Sequence, residues 1–207
     1  MDSPTFRELL ASPGVVEESH LRSSFGFMAY HGGALEEMTD VIARLAAERS
    51  GASYYGVVQP ASLQVHLPSI EVTPDQSPAL AAFLAHVDVV VTVHGFGRRP
   101  MMTSMLLGGR NRRLAAHLAL ELRRALPAYE IVDDIDRIPV ELQGVHARNP
   151  VNLPRNGGVQ LELPPRARGA SALWWDWEAE LNPHTSALIE ALAVAAGTWP
   201  AARSDGA

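Results

Sequence analysis

The sequence predicts an α/β fold in which a mostly parallel mixed sheet lies between helices, in three αβα layers. Runs rich in β-branched and aromatic residues alternate with segments of helical periodicity along the chain. One run, residues 87–93, is almost wholly β-branched, which is typical of a central strand covered on both faces. With 207 residues, 47% of them hydrophobic, the chain is long enough for one well-buried domain spanning 1–207.

The predicted elements follow from apolar spacing and turn signals. Residues 1–22 form a lead-in that is either a short helix or irregular, and residues 169–207 form a C-terminal helical segment. Strands are predicted at residues 25–30, 53–59, 87–93, 101–107, 130–132 and 159–163. Helices are predicted at residues 35–49, 78–86, 111–126 and 183–196.

Local signals mark where these elements end. The first strand runs into the Gly-rich turn His31-Gly32-Gly33, and Ser50-Gly51 stops the helix that follows. Gly108-Gly109 closes the strand at 101–107, and Asn111 is a suitable cap for the next helix. The polar, proline-punctuated segment 133–156 is long for a plain connection, which indicates a functional loop.

Composition excludes several classes of protein. The chain has no cysteine, which excludes a disulfide scaffold, a thiol nucleophile and a cysteine-based zinc site. A net charge of −6 without a basic stripe argues against nucleic-acid binding. No run approaches the ~20 apolar residues of a membrane span, and no signal peptide is visible, so a cytoplasmic location is expected.

Two histidines and one glutamate lie at the ends of predicted buried strands. His31 and His94 are each followed by glycine, and Glu162 lies in the last strand. Ligand sites of open α/β sheets lie beyond the carboxyl ends of strands, so these side chains can converge. His31, Glu36 and His94 supply the two imidazoles and one carboxylate that suit a catalytic Zn²⁺, with Glu162 as general base.

Each residue also has an ordinary interpretation. A single histidine in a strand-end turn is more often a hydrogen-bonded structural residue. Glu36 falls in a predicted first helical turn, where the helix dipole favours an acid. Glu162 can be a buried ion-pair partner of Arg155 or Arg166.

Several short runs, each unspecific alone, occur in an order that resembles the phage-type poly-γ-glutamate hydrolases. The segment 63–74, with His66, is also similar, and the resemblance spans about residues 25–168. The runs are Tyr30-His31-Gly32-Gly33 through Glu36, Val93-His94-Gly95, Leu107-Gly108-Gly109, Asn149-Pro150-Val151-Asn152 with Arg155, and Gly158-Val159-Gln160-Leu161-Glu162-Leu163.

The resemblance implies a zinc carboxypeptidase-like core with one zinc ion. By resemblance, His31, Glu36 and His94 match the metal ligands and Glu162 matches the general base. Arg155 matches an arginine suited to a substrate carboxylate or the oxyanion, although an ion pair with Glu162 or Asp134 is an equal alternative. The remaining candidates, expected to bind substrate, are Arg98, Arg110, Asn152 and His66.

The sequence therefore predicts a zinc-dependent amide hydrolase that acts on γ-glutamyl bonds or a similar acidic, peptide-like substrate. Arg98 and Arg110 would give local positive potential for such a substrate. Two alternatives stay open: an amidohydrolase for small N-acyl amino acids, and a non-catalytic binding module on the same fold. Trp174, Trp175 and Trp177 form an aromatic cluster for which packing is the simplest interpretation.

Overall fold

The computed structural model describes residues 4–175 and 181–200, built around a seven-stranded mixed sheet. The strands are β1 (Val16–His20), β2 (Phe25–Gly33), β3 (Ser53–Gln59), β4 (Val89–Gly95), β5 (Ser104–Leu107), β6 (Glu130–Val132) and β7 (Gly158–Leu163). Their order is β1-β3-β2-β4-β7-β5-β6. The β1–β3 and β5–β7 pairs are antiparallel and the other pairs are parallel, which confirms the predicted mostly parallel mixed sheet.

Helices cover both faces of this sheet. They are α1 (Phe6–Leu10), α2 (Thr39–Ser50), α3 (Pro78–His86), α4 (Arg112–Ala125), α5 (Pro165–Arg168) and α6 (Pro183–Thr198). Side chains of α2, α4 and α6 pack with Phe27, Val91 and Leu161 of the central strands. Side chains of α1 and α3 pack with Met28 and Val90, which point to the opposite face because strand residues alternate. The predicted three layers are confirmed.

The lead-in contains a strand that the sequence analysis missed. After the short helix α1, β1 pairs along the edge of the sheet with β3, from Val16 opposite Val58 to His20 opposite Tyr54. Its polar sequence and partial exposure are those of an edge strand. An edge strand with little apolar alternation leaves no periodic signal, which is why residues 16–20 resemble a loop in the sequence.

Several predicted boundaries shift. Strand β2 continues through the predicted turn His31-Gly32-Gly33 and ends at Gly33. Helix α2 begins at Thr39, so Glu36 lies in the preceding turn and not in a helical first turn. Strand β4 runs from Val89 to Gly95, which places His94 inside the strand. Strand β5 starts only at Ser104, because Arg99–Met101 forms a 3-10 helix around Pro100. The predicted cap Asn111 is confirmed: its side-chain oxygen accepts the Leu114 N–H at 2.9 Å.

The C-terminal segment packs through α6 and one tryptophan. The Trp174 indole donates to the Arg166 carbonyl at 2.9 Å and lies edge-on to the ring of His184. Trp175 is 85% exposed, and Trp177 lies outside the described residues. Within residues 4–175 and 181–200, every helix is too short or too polar for a membrane span. The assignment of the whole chain to one domain stays a prediction.

Candidate active site

The site lies where three neighbouring parallel strands end. In the sheet, β4 has β2 on one side and β7 on the other. His94 of β4 stands directly opposite Glu162 of β7 in the strand register. His31 lies near the end of β2 and is 3% exposed, while His94 and Glu162 are each 4% exposed. The predicted convergence at the carboxyl edge of the sheet is therefore present.

An irregularity in β2 turns two successive side chains toward this site. Ala29 pairs with Gly56 of β3, but Gly32 pairs with Val58, so β2 carries one extra residue, as in a β-bulge. Tyr30 and His31 occupy the irregular stretch, and their rings lie 4.8 Å apart. Both rings also lie about 5 Å from the ring of His94, at 4.9 Å and 5.0 Å. In a regular strand these neighbours would face opposite sides of the sheet.

Glu36 joins the two histidines. It lies in the turn after β2, where its backbone N–H donates to the His31 carbonyl at 2.9 Å. Its Oε1 lies 2.9 Å from His31 Nδ1 and its Oε2 lies 3.3 Å from His94 Nδ1. Oε2 also accepts the Gly95 N–H at 2.8 Å. Gly33 permits this turn: its φ is +69°, and a Cβ there would lie 2.3 Å from the Gln59 carbonyl oxygen.

The Nε2 atoms of His31 and His94, which face away from Glu36, also have hydrogen-bond partners. His31 Nε2 lies 3.0 Å from the Leu67 carbonyl oxygen, and His94 Nε2 lies 3.0 Å from the Tyr30 hydroxyl. A carbonyl oxygen only accepts, so His31 Nε2 carries a proton and the neutral ring presents the lone pair of Nδ1. That lone pair faces a carboxylate oxygen at 2.9 Å. Two acceptors so close together require a proton or a cation between them.

The electrostatics keep the carboxylate of Glu36 ionised. Burial opposes a charge on His94, but the charge of Glu36 outweighs burial and raises the pKa of His94. Burial lowers the pKa of His31, although Glu36 opposes the shift, so a second proton on this ring is disfavoured. Burial alone would raise the pKa of Glu36, but the two imidazoles outweigh it and hold that pKa well below its usual range. The result is an ionised carboxylate between two imidazole nitrogens, a donor set that fits a zinc ion.

A third imidazole, that of His66, lies close to this group. Ligand atoms of His31, Glu36 and His66 lie within 4.8 Å of one another, so these residues alone could hold a metal ion. The rings of His31 and His66 are 4.7 Å apart. His66 is exposed on a loop, whereas His94 is buried in a strand with Nδ1 against the second oxygen of Glu36. Both imidazoles are therefore candidate third ligands beside His31 and Glu36.

Glu162 is held by a buried amide network that the sequence analysis missed. Gln160 Nε2 donates to Glu162 Oε1 at 2.8 Å and to the Leu142 carbonyl at 3.3 Å. Asn149 Nδ2 donates to Gln160 Oε1 at 2.9 Å. Gln160 and Asn149 are 5% and 3% exposed. Gln160 was detectable as the residue two positions before Glu162, because alternate residues of a strand share a face.

Burial raises the pKa of Glu162 to about 7, and the charge of Glu36 adds to the shift. The charge of His94, the hydrogen bond from Gln160 and the charge of Arg168 act in the opposite direction. A carboxyl group that titrates near neutral pH can both take up and release a proton under physiological conditions. This is the property required of a general base that later acts as an acid.

The raised pKa predicts how the stability of the metal-free protein depends on pH. The folded state holds the Glu162 proton more tightly than the unfolded state does. The stabilisation of the folded protein by this proton is therefore complete below the ordinary pKa of 4.5 and is lost as the pH rises through about 7. Between pH 5 and pH 8, wild type should lose about 2–3 kcal/mol of unfolding free energy relative to Glu162→Gln. Urea unfolding of both proteins across this range measures the difference, and parallel curves would contradict it.

A cavity of about 620 Å³ opens over these residues. Its wall includes His31, Glu36, His94 and Glu162. Two loops complete it: the loop after β3, with His66, and the predicted functional loop after β6. The second loop contributes residues between Val140 and Asn149, among them His146. The expectation that the long polar segment is functional agrees with this position.

Three of the predicted substrate-binding residues, Arg98, Arg110 and Asn152, lie outside the wall of this cavity. Arg98 forms an ion pair at 2.6 Å with Glu141, which does line it. Arg110 Nε donates to the Val145 carbonyl at 2.8 Å, and its backbone N–H donates to Asn152 Oδ1 at 3.0 Å. Asn152 Nδ2 donates to the carbonyls of Gly144 and His146. Arg110 and Asn152 therefore fix the loop that forms the wall.

The structure does not bring Arg155 to the cavity. Arg155 is exposed, and the next residue, Asn156, donates its backbone N–H to the Asp88 carbonyl at 2.9 Å, just before β4 begins. Arg155 therefore lies near the amino ends of β4 and β7, whereas Glu162 lies near the carboxyl end of β7. This position does not support the catalytic role expected for Arg155. Among the described residues, no ion pair joins Glu162 to Arg155 or Arg166.

A different arginine, Arg168, lies buried behind the site. It is 7% exposed, and its guanidinium donates to the carbonyls of Leu163 and Glu37. A Cβ on Gly95 would lie 2.6 Å from its Cζ. These contacts join the backbone that follows Glu162 to the backbone that follows Glu36. In the sequence Arg168 resembles any arginine at the end of a helix, and no sequence pattern predicts its buried position.

Comparisons with known proteins agree with this architecture. The sequence profile of the poly-gamma-glutamate hydrolase family matches residues 6–179. A bacteriophage poly-gamma-glutamate hydrolase is similar in structure, with a TM-score of 0.75, 21% identity and 91% of each chain covered. A zinc-free structure of YndL has a TM-score of 0.72 and 20% identity, covering 92% of this chain and 94% of that one.

A third similar structure is the gene product Atu2144 of Agrobacterium tumefaciens, with a TM-score of 0.55, 15% identity, and 89% and 95% of the two chains covered. No curated protein matches the chain in sequence. At these identities the structural likeness shows a shared fold. The profile match covers most of the sequence, and the chain therefore belongs to the poly-gamma-glutamate hydrolase family, a family of amide-bond hydrolases.

Proposed function

We propose that this protein hydrolyses γ-glutamyl amide bonds with a zinc ion held by His31, Glu36 and His94. The observation that carries the proposal is the arrangement of two imidazole Nδ1 atoms against the two oxygens of one carboxylate. Hydrogen bonds on the Nε2 atoms hold both rings in place, as is usual for zinc ligands. Three protein ligands would leave a coordination position open, as in catalytic zinc sites.

A zinc ion in this position would supply Lewis-acid polarisation of the amide carbonyl and of the attacking water. Glu162 lines the same cavity, and burial raises the pKa of its carboxyl group to about 7 in the metal-free protein. It takes a proton from the water as the water attacks the carbonyl carbon. It then gives this proton to the departing nitrogen, so the carboxyl ends the reaction in its starting state. Gln160 orients the carboxyl group throughout through its hydrogen bond to Oε1.

Metal removal tests the zinc requirement. The purified protein should contain about one zinc ion per chain and should cut poly-γ-glutamate into shorter chains, as measured by size-exclusion chromatography. Chelation should abolish the cleavage, and added zinc should restore it. A metal-free preparation that keeps full activity would contradict the zinc proposal.

The same assay separates the two alternative functions. A depolymerase should act faster on longer γ-glutamyl chains, because remote contacts also stabilise the transition state. An amidohydrolase for small substrates would prefer N-acyl amino acids and show no gain with chain length. A binding module would retain the polymer without cutting it. Either of the last two outcomes would contradict the proposed substrate or the proposed catalysis.

A further inference from the structure

The described wall of the cavity contains carboxylates and no arginine. Glu36, Glu141 and Glu162 line it. The arginines close by make other contacts, since Arg98 pairs with Glu141 and Arg110 donates its Nε–H to the Val145 carbonyl. Neutral side chains of the wall are therefore candidate hydrogen-bond donors for a substrate with a carboxylate on every residue.

Most of those neutral donors already have partners. His31 Nε2 is bonded to the Leu67 carbonyl, and His94 Nε2 is bonded to the Tyr30 hydroxyl. Asn149 donates to Gln160. Gln160 in turn donates to Glu162 and to the Leu142 carbonyl. Among the described imidazoles of the wall, those of His66 and His146 remain able to donate to a ligand.

His146 is held with one ring nitrogen available. Its Nδ1 accepts the Arg148 backbone N–H at 3.1 Å, so the proton of the neutral ring is on Nε2. Its carbonyl oxygen accepts from Asn152 Nδ2 at 3.0 Å and from the Asn149 backbone N–H at 3.1 Å. Asn152 is fixed by the Arg110 backbone N–H. The imidazole is exposed, and the backbone that carries it is tied down on both sides.

His66 has a different position. Its ring lies 4.7 Å from that of His31, beside the proposed metal ligands, where the reacting amide would bind. His146 belongs to the other loop of the wall and makes no hydrogen bond or ion pair with His31, Glu36 or His94. A donor away from the reacting amide is suited to a substituent of the substrate.

We propose that His146 is a specificity-determining residue whose Nε2–H binds an α-carboxylate of the γ-glutamyl substrate. This inference rests on the proposed function. In a γ-linked chain the backbone amides leave one α-carboxylate free on every residue, next to each amide nitrogen. A fixed N–H donor in the wall distinguishes such a chain from a neutral amide. Arg110 and Asn152 then act as positioning residues, because they hold the loop that carries His146.

The test compares charged and neutral substrates of the same shape. A γ-linked glutamate oligomer is compared with two analogues, in which the α-carboxylate on the acyl side or on the amine side of the scissile bond is a carboxamide. Wild type, His146→Ala and His146→Gln are assayed for kcat/KM with zinc bound. His86→Ala is the matched control, because His86 is exposed at the end of α3 and outside the cavity wall.

On the unmodified oligomer, His146→Ala should lose about tenfold to hundredfold in kcat/KM, as expected for a hydrogen bond to a charged group. On the analogue that lacks the recognised carboxylate, the same substitution should change kcat/KM by less than about threefold. His146→Gln keeps an N–H donor and should recover part of the loss. Asn152→Ala should show a weaker form of the same selectivity, and His86→Ala should match wild type.

Equal losses on all three oligomers, or no loss on any of them, would overturn the role of His146. Such a result leaves the zinc hydrolase proposal intact, because wild type still cleaves the unmodified oligomer. Failure of wild type to cleave any γ-glutamyl oligomer, with zinc bound, would instead remove the proposed function and this inference with it.

Discussion

Replacing Glu162 by glutamine is expected to lower kcat by about 10²- to 10⁴-fold, the usual contribution of a general acid–base group. Glutamine has nearly the same size, and its amide oxygen can still accept the Gln160 Nε2–H that bonds Glu162 Oε1 at 2.8 Å. It cannot accept a proton from water at neutral pH. The variant should therefore fold and bind zinc normally while the chemical step fails.

Single-turnover assays and zinc analysis of the same preparation separate these effects. Zinc content should stay at about one ion per chain, and KM should change little compared with kcat. Glu48→Gln is the control for the chemical change alone, because Glu48 is exposed on α2 and pairs with Arg44. An active Glu162→Gln enzyme would exclude Glu162 as the base. Loss of zinc from this variant would indicate that Glu162 contributes to the metal site.

Residue type and strand position predicted that His31, His94 and Glu162 meet at the carboxyl ends of the strands. His31, His94 and Glu162 follow or lie in runs of buried residues, and parallel strands end at a common edge. Two of the strands, β2 and β7, are far apart in sequence and both border β4 in the sheet. The parallel pairing of each with β4 could be expected from the alternation of strands and helices. The order of seven strands could not.

The irregularity in β2 could not be predicted from the periodicity of apolar residues in the sequence. A regular strand would send Tyr30 and His31 to opposite faces, and only one extra residue relative to β3 lets both rings approach His94. Tyr30 consequently resembles a core residue in the sequence. Its hydroxyl contact with His94 Nε2 depends on where the strand departs from its register, and that is decided by packing between distant segments.

The arginines show that a residue close to a motif in the sequence need not lie close to the site in the structure. Arg155 follows a run shared with the family, yet it precedes β7 and so lies at the amino edge of a strand that delivers Glu162 at its carboxyl end. Six residues of extended chain, Gly158–Leu163, separate the two edges. Arg168, after the same strand, returns to the site through α5. For a residue near a strand, the end at which it lies matters more than its distance in sequence.

Replacing His94 by alanine is expected to weaken zinc binding by more than about 100-fold and to abolish hydrolysis at stoichiometric zinc. Loss of an outer hydrogen-bond partner of a metal ligand costs about 10–100-fold in metal affinity, and loss of the ligand itself should cost more. Tyr30→Phe removes only such a hydrogen-bond partner, the hydroxyl 3.0 Å from His94 Nε2, and should weaken zinc binding less. Competition with a chromogenic chelator measures the affinity of both variants.

His66→Ala decides between the two imidazoles that lie near His31 and Glu36. If His94 is the third ligand, His66→Ala keeps its zinc, and affinity falls in the order wild type, Tyr30→Phe, His94→Ala. If the group of His31, Glu36 and His66 holds the ion, the effects of the two alanine substitutions are reversed. His117→Ala controls for the loss of an unrelated histidine, since His117 bonds the Ala195 carbonyl between α4 and α6. The buried position of His94, with both ring nitrogens engaged, favours the first result.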